Sequence, residues 1–384
     1  MDRLNTEEAV FLLKMLVETN TSNPPGNEKL LADKISGYLS GTRAVVRSVP
    51  CGSGRASILA KIQGTGERKP LILCGHMDTV PFGKTARWHF PPDLLTEDGG
   101  RYYGRGTSDM KSGLAALLYA FKKAAAHPQM PLGDIYLAAT ADEESQGLGA
   151  QSLMGRLPLQ NGIMLIAEPT ANGIGICSKG TVWAHFMIKG KTAHGAYPEQ
   201  GIDAIHAAVE LHQTLTGFCQ TYTDPLLGPS TCTMTEISGG VKTNMVADCC
   251  ETVMDIRTTP NLENTVLIEK IHAACREIMA QYDGLDIQIN ISNNREPVAV
   301  DPMQEPVEQV AAIIKTQTGN QPAYKGIRFF SDASVFAGNC TQLTCMLFGP
   351  GREENAHIVD EYVDKDAYFT SIVCYNELLH TYFS

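Results

Sequence analysis

Three short apolar runs in this chain each hand over directly to acids or to histidine. Residues 71–74 pass through Gly75 into His76 and Asp78. Residues 135–140 pass into Asp142, Glu143 and Glu144, and residues 163–167 into Glu168. Compact apolar runs of this length, closed by turn residues, read as buried strands. In an extended segment alternate side chains share a face, so His76 and Asp78 point into one space. Open α/β sheets place ligands at the carboxyl ends of their strands. One polar strand end has many explanations; three in succession constrain the fold and mark one edge of it.

The rest of the chain fits around those strands. Residues 4–40 carry helical periodicity in two pieces, separated by the loop Thr21-Ser22-Asn23-Pro24-Pro25-Gly26-Asn27. Strand patterns follow at 44–49 and 57–62, and a helix at 114–126, so strands alternate with helices as in an α/β layer architecture. From about Lys179 the texture changes. Strand 182–188, helix 202–215, strands 231–238 and 246–258, helix 266–282 and strand 285–292 follow in order. That β-α-β-β-α-β order predicts a small antiparallel sheet with two helices on one face. The α/β pattern then returns, with helix 304–318 and strand 343–348. The expectation is a three-layer α/β domain with a mixed, mostly parallel sheet, built from 1–178 and 295–384. A ferredoxin-like α+β segment, 179–294, interrupts it.

At 384 residues two domains are the default. The net charge of −11, with no long basic run, argues against nucleic acid or an anionic membrane as partner. The longest apolar stretch, 114–121, is too short to span a bilayer. The start of the chain lacks the pattern of a secretory signal. Eleven cysteines, an odd number with no Cys-x-x-Cys, read as reduced thiols in a cytoplasmic protein rather than a disulfide framework or a thiolate metal site.

The chemistry-bearing residues are His76, Asp109, Glu143, Glu144, Glu168 and His357, with Asp78 behind His76. Asp109 lies in the glycine-rich loop 104–113, just before a helix, where a capping role is the plain alternative. The glycines match neither a P-loop nor a dinucleotide fingerprint. Two imidazoles with several carboxylates suit a pair of zinc-like ions, since such metals accept mixed nitrogen and oxygen ligands. A metal pair that activates water toward a carbonyl also needs a carboxylate outside the ligand set to move the proton. Adjacent acids, Glu143 and Glu144, can supply one base and one ligand.

These segments together resemble the M20 family of metallopeptidases and amidohydrolases, which includes deacetylases, desuccinylases, aminoacylases and carboxypeptidase-type enzymes. The matching stretches are GHMDTVP, GRGTSDMKSGLAA, ADEESQGLGA, AEPT, KTAHGAYPEQGIDAI and GPGREENAHIVDEYV, in family order along nearly the whole chain. The resemblance implies His76, Asp109 and Glu168 around one metal, and Asp109, Glu144 and His357 around the second. Asp109 bridges, Glu143 is the general base, and Asp78 supports His76. It also implies a cis peptide after Asp109. His194 would polarise the carbonyl, commonly in the partner subunit's site, and Asn244 and Arg257 would contact substrate. The inserted segment would serve as lid and dimerisation domain of a homodimer.

The implied activity is hydrolysis of an amide bond in an N-acyl amino acid or small peptide. Two divalent ions, zinc first and cobalt or manganese as alternatives, are the implied cofactors. A dipeptidase or carboxypeptidase is the alternative within the family, and a non-catalytic protein on the same fold the alternative outside it. Two departures bear on substrate. Lys179-Gly180 stands where desuccinylases tend to carry paired arginines. Phe329-Phe330, within the loop 326–333, stands where members often have small residues.

Overall fold

The computed structural model describes residues 4–338, 340 and 342–384. The chain divides into two compact units, one of residues up to 176 with 300–325 and 331–384, the other of 177–299 with 326–330. The sequence reading places the insertion at 179–294; in the structure the second unit also takes in the short segment 326–330.

The first unit is built on a mixed sheet. Its strands run Val45–Gly52, Arg55–Ile62, Ile135–Thr140, Leu71–His76, Ile163–Ile166, Thr344–Leu347 and Ile174–Ser178 from one side to the other. The four in the middle, from Ile135–Thr140 to Thr344–Leu347, are parallel, and antiparallel strands flank them. Every residue of Leu71–His76 and of Ile135–Thr140 is buried. A parallel strand covered by helices on both faces is apolar throughout, so these runs show no alternation.

Helices Thr6–Val17, Lys111–Ala125, Glu305–Thr318 and Lys365–His380 pack together on one face. Glu28–Tyr38 and Leu148–Leu153 lie against the strands of the other. Register sets where the chemistry gathers. His76 pairs with Thr140, and Leu71 aligns with both Ile135 and Ile163, so the loops after all three strands leave at one edge.

The second unit is a four-stranded antiparallel sheet in the order Thr231–Gly239, Cys249–Thr258, Gly180–Lys189, Asp286–Arg295. Helices Ala204–Gln220 and Asn264–Met279 cover one face. Along the Gly180–Lys189 strand Val182, Ala184, Phe186 and Ile188 are buried toward the helices, while His185 and Met187 are exposed. That period of two is what a sheet with one solvated face requires.

Among the elements beyond the sequence reading are the strand Ile174–Ser178, the helices Leu148–Leu153 and Lys365–His380, and a small sheet of Thr96–Asp98, Arg101–Tyr103 and Tyr362–Asp364.

Candidate metal centre

His76 closes its strand with both ring nitrogens engaged. Nδ1 faces the backbone carbonyl of Asp78 at 2.9 Å, and Nε2 faces Asp109 Oδ1 at 3.1 Å. A carbonyl only accepts, so Nδ1 carries the hydrogen and Nε2 is the nitrogen available to a metal. Asp78 therefore orients His76 through its main chain. Its buried carboxylate is 3.8 Å from Nδ1 and does something else. It accepts the backbone N–H groups of Glu143 and Glu144, at 3.1 Å on Oδ1 and 3.1 Å on Oδ2.

Asp109 is not a helix cap. The helix Lys111–Ala125 takes Met110 as its N-cap, with no side-chain cap bond. The Asp109–Met110 peptide is cis. One Asp109 oxygen turns to each histidine, Oδ1 to His76 and Oδ2 to His357 Nε2 at 3.3 Å. Glu144 approaches the same His357 nitrogen, with its two oxygens at 3.2 and 3.1 Å. The backbone of His357 is in the left-handed region, φ +64°, at the end of a short turn of helix, Glu353–Asn355.

His76, Asp109 and Glu144 each bring a ligand atom within 4.8 Å of the others. Glu168 and Glu143 complete the group at the same sheet edge, both buried. Burial, and then the nearby charge of Asp109, pushes Glu168 well above the usual carboxylate range. Burial also pushes Glu143 well up; His76 opposes this, and Glu168, Glu144 and Asp332 add to it. Burial pulls His76 down, but the Asp109 hydrogen bond and surrounding acids carry it well above its ordinary value. His357 is raised to about 10 by its hydrogen bonds to Asp109 and Glu144.

Protein groups alone leave this cluster poorly satisfied. Glu143 Oε1 is buried and has no hydrogen-bond partner. Buried acids repel one another here, and a divalent cation would supply the positive charge that offsets them. The mixed imidazole and carboxylate donors fit such an ion.

Several supporting residues were not singled out from sequence. Glu361, fully buried, accepts the N–H groups of Ser108 (2.8 Å) and Asp109 (3.0 Å) on one oxygen and Arg105 Nη1 (2.6 Å) on the other. It sets the main chain that presents Asp109. Its only signal is its place in the last motif. Asp332 accepts the Thr140 hydroxyl at 2.5 Å beneath the acidic loop. Lys111 is buried, donates to the carbonyl of Thr19 at 2.9 Å, and is pulled down to about 7 by burial.

In the second unit His194 and Asn244 come together. Gly195 N donates to Asn244 O at 2.8 Å, and both side chains are exposed. Arg257 does not join them. It lies near the far end of the strand Cys249–Thr258, about 26 Å along the chain from Cys249 at a strand's rise per residue. There Asp255 holds it at two points, Nε at 2.8 Å and Nη2 at 3.0 Å. Phe330 lies against Arg257 and Arg295, with ring centre 5.5 and 4.5 Å from the guanidinium carbons. Lys179, largely buried, donates to the carbonyl of Pro229 at 2.6 Å.

A sheet edge that gathers imidazoles and buried carboxylates in this way defines a metal-dependent enzyme class, and comparison narrows it. The chain matches the model of Peptidase family M20/M25/M40 over residues 72–381 and belongs to that family. A probable succinyl-diaminopimelate desuccinylase of Staphylococcus aureus is 29% identical, over 98% of both chains. An acetylornithine deacetylase of Proteus mirabilis is 30% identical, over 90% of this chain and 88% of its own.

Among solved structures, the Bacillus cereus aminopeptidase PepT superposes with a TM-score of 0.80 at 20% identity, covering 99% of this chain and 100% of that one. A dinuclear metal-binding M20 peptidase of Bacillus subtilis gives 0.73 at 16% identity, with 98% of each chain covered. The structural likenesses establish the shared fold. With the family and its relatives, they make this chain a hydrolase acting on amide bonds. Among the described residues no helix is long and apolar enough to cross a membrane.

Proposed function

We propose that this chain is a dinuclear metal hydrolase that cleaves the amide bond of an N-acyl amino acid or small peptide. The observation that carries the reading is Asp109, which turns one oxygen to His76 and the other to His357 beside a buried Glu143 whose Oε1 has no partner. His76, Asp109 and Glu168 would hold one cation and Asp109, Glu144 and His357 the second. Zinc is the first choice, with cobalt or manganese as alternatives. When bound, the cations supply Lewis acidity toward water and toward the amide carbonyl.

Glu143 takes the proton of the attacking water and passes it to the leaving amine. Its burial supports this, because a carboxyl held above its ordinary range is a stronger base and can still return the proton. Asp78 keeps Glu143 and Glu144 in place through their backbone amides. His194 polarises the carbonyl oxygen, and Asn244 and Arg257 contact the substrate, whose carboxylate matches an arginine fork.

The names of the curated relatives support acyl amino acids, and those of the solved structures support peptides. The separation of Arg257 from His194 and Asn244 supports a homodimer, since one small substrate could meet both sets only if two copies supply them. Free thiols at all eleven cysteines support a reducing, cytoplasmic setting.

The test combines elemental analysis for zinc, cobalt and manganese with hydrolysis of N-acetylornithine, N-succinyl-diaminopimelate, other N-acetyl amino acids and dipeptides. Bound metal and chelator-sensitive cleavage of one panel member are expected. Glu143→Gln should lower kcat by roughly 10²–10⁴ while metal content stays unchanged. A variant with near-normal kcat, or a protein that takes up no metal on reconstitution, would sink the reading. Light scattering in solution tests the dimer, and a monomer with full activity removes it.

A further inference from the structure

The loop 21–27 stands apart from every role assigned above, yet it reaches the back of the metal centre. Its start runs beside the segment after His76. Thr79 N donates to Thr21 O at 3.2 Å, Asn23 N to Thr79 O at 2.8 Å, and the Thr21 hydroxyl to Met77 O at 2.6 Å. These bonds fix the main chain at Asn23, whose side chain is almost completely buried.

The Asn23 amide nitrogen then donates twice, to Asp78 Oδ2 and to Asp142 Oδ1, each at 3.0 Å. A primary amide has two hydrogens, so both bonds form at once. The two acceptors govern one object. Asp78 holds the backbone N–H groups of Glu143 and Glu144. Asp142 is the residue just before them, held in the left-handed region at φ +66°.

From the other side Arg55 Nη1 reaches Asp142 Oδ1 at 2.7 Å and Asn23 Oδ1 at 3.4 Å. Buried Glu28 in turn anchors Arg55 through two hydrogen bonds and accepts the N–H of Asp142 at 3.3 Å. Two buried carboxylates this close repel one another unless a donor lies between them. Asn23 is that donor, and Arg55 pairs with Asp142 from the other side.

We infer that Asn23 is a positioning residue, which acts through Asp78 and Asp142 to aim Glu143 and Glu144 at the metal centre. The inference rests on the proposed dinuclear reading for what those acids do. Its geometry is independent of the substrate. An outer-tier hydrogen bond of this kind is worth roughly 10–100-fold in metal affinity or activity.

The test is zinc affinity by chelator competition on Asn23→Ala and on Asn23→Ser, which keeps a smaller donor. Melting of the metal-free proteins and steady-state kinetics on whichever panel substrate the wild type cleaves complete it. A positioning role predicts that zinc binding weakens by about tenfold or more in Asn23→Ala and by less in Asn23→Ser. It predicts a fall in kcat with KM within about twofold, and zinc losses in Asn23→Ala and Asp78→Asn that do not add in the double variant. Unchanged zinc affinity in a folded Asn23→Ala protein overturns the inference. So does an additive loss that follows the drop in metal-free melting temperature. Should Asn23→Ala fail to fold, Asn23→Ser decides alone, and wild-type zinc affinity there is equally fatal. Because the zinc comparison needs no substrate, a wild type that binds zinc but cleaves nothing in the panel counts against the proposed activity and not against Asn23.

Discussion

Lys111 is a buried lysine two residues beyond Asp109 whose side-chain nitrogen donates to a neutral carbonyl, that of Thr19. Burial holds it near 7, below its ordinary 10.5, despite the charges of Asp78, Glu361 and Glu28. A depressed lysine binds fewer protons folded than unfolded between those values, so stability rises with pH across that window. Lys111→Met should therefore remove part of a pH slope. From pH 6.5 to pH 9 the melting temperature of the wild type should gain on that of the variant; parallel curves would place the proton elsewhere. Asp109 and His357 are picked out by the motifs around them, while His76, Glu143, Glu144 and Glu168 stand out because acids and histidine at consecutive strand ends leave a local pattern. Lys111, Glu361 and Asn23 leave none. Each is an ordinary side chain whose role comes from a partner distant in sequence, 92 residues away for Lys111 and Thr19 and 252 for Glu361 and Asp109.

At the scale of elements, the glycine-rich turns hold the site by letting backbones touch. A Cβ on Gly351 would lie 2.0 Å from the carbonyl oxygen of Ser108, next to Asp109. Reciprocal bonds between Ser108 Oγ and the main chain of Arg352, both 2.8 Å, close the same seam. Gly351→Ala must push apart the turn that carries Asp109 and the loop that leads to His357. It should cost roughly 1–3 kcal/mol of stability and weaken zinc binding more than a surface change of equal cost. Denaturant melts with and without zinc would show it, and an unaltered zinc affinity would mean that the seam does not set the ligand spacing. The buried strands and the β-α-β-β-α-β order were readable from periodicity. The strand Ile174–Ser178 was not, because it follows Glu168 after only a short turn and has no strong alternation. The helix Lys365–His380 does repeat its buried residues Tyr368, Ile372, Tyr375 and Leu379 at helical spacing, a signal overshadowed by the motif before it.

For the molecule as a whole, the charge balance of one sheet edge links folding to metal. Without a cation Glu143 and Glu168 sit well above the ordinary carboxylate value of 4.5, because burial opposes their charge. Raised groups contribute stability that is full below the unfolded value and fades as pH climbs through the folded one. Glu168, Glu144 and Asp332 repel a charged Glu143 while His76 attracts it, and a cation at this edge would offset that repulsion. A divalent cation bound here would compete with protons for these acids, so its binding should strengthen as pH rises. A ligand held a thousandfold above its dissociation constant adds about 4 kcal/mol to the state that binds it. The gain in melting temperature on zinc loading should thus be larger at pH 8 than at pH 5.5, and chelation should lower stability most at the higher pH. All residues of the cluster belong to the unit of residues up to 176, 300–325 and 331–384. The second unit buries its own core of Val182, Phe186, Leu211 and Ile271. If the two units melt separately, zinc should move one transition and leave the other where it was. Calorimetry at the two pH values decides this, and a zinc shift that is equal at both would detach metal binding from the buried acids.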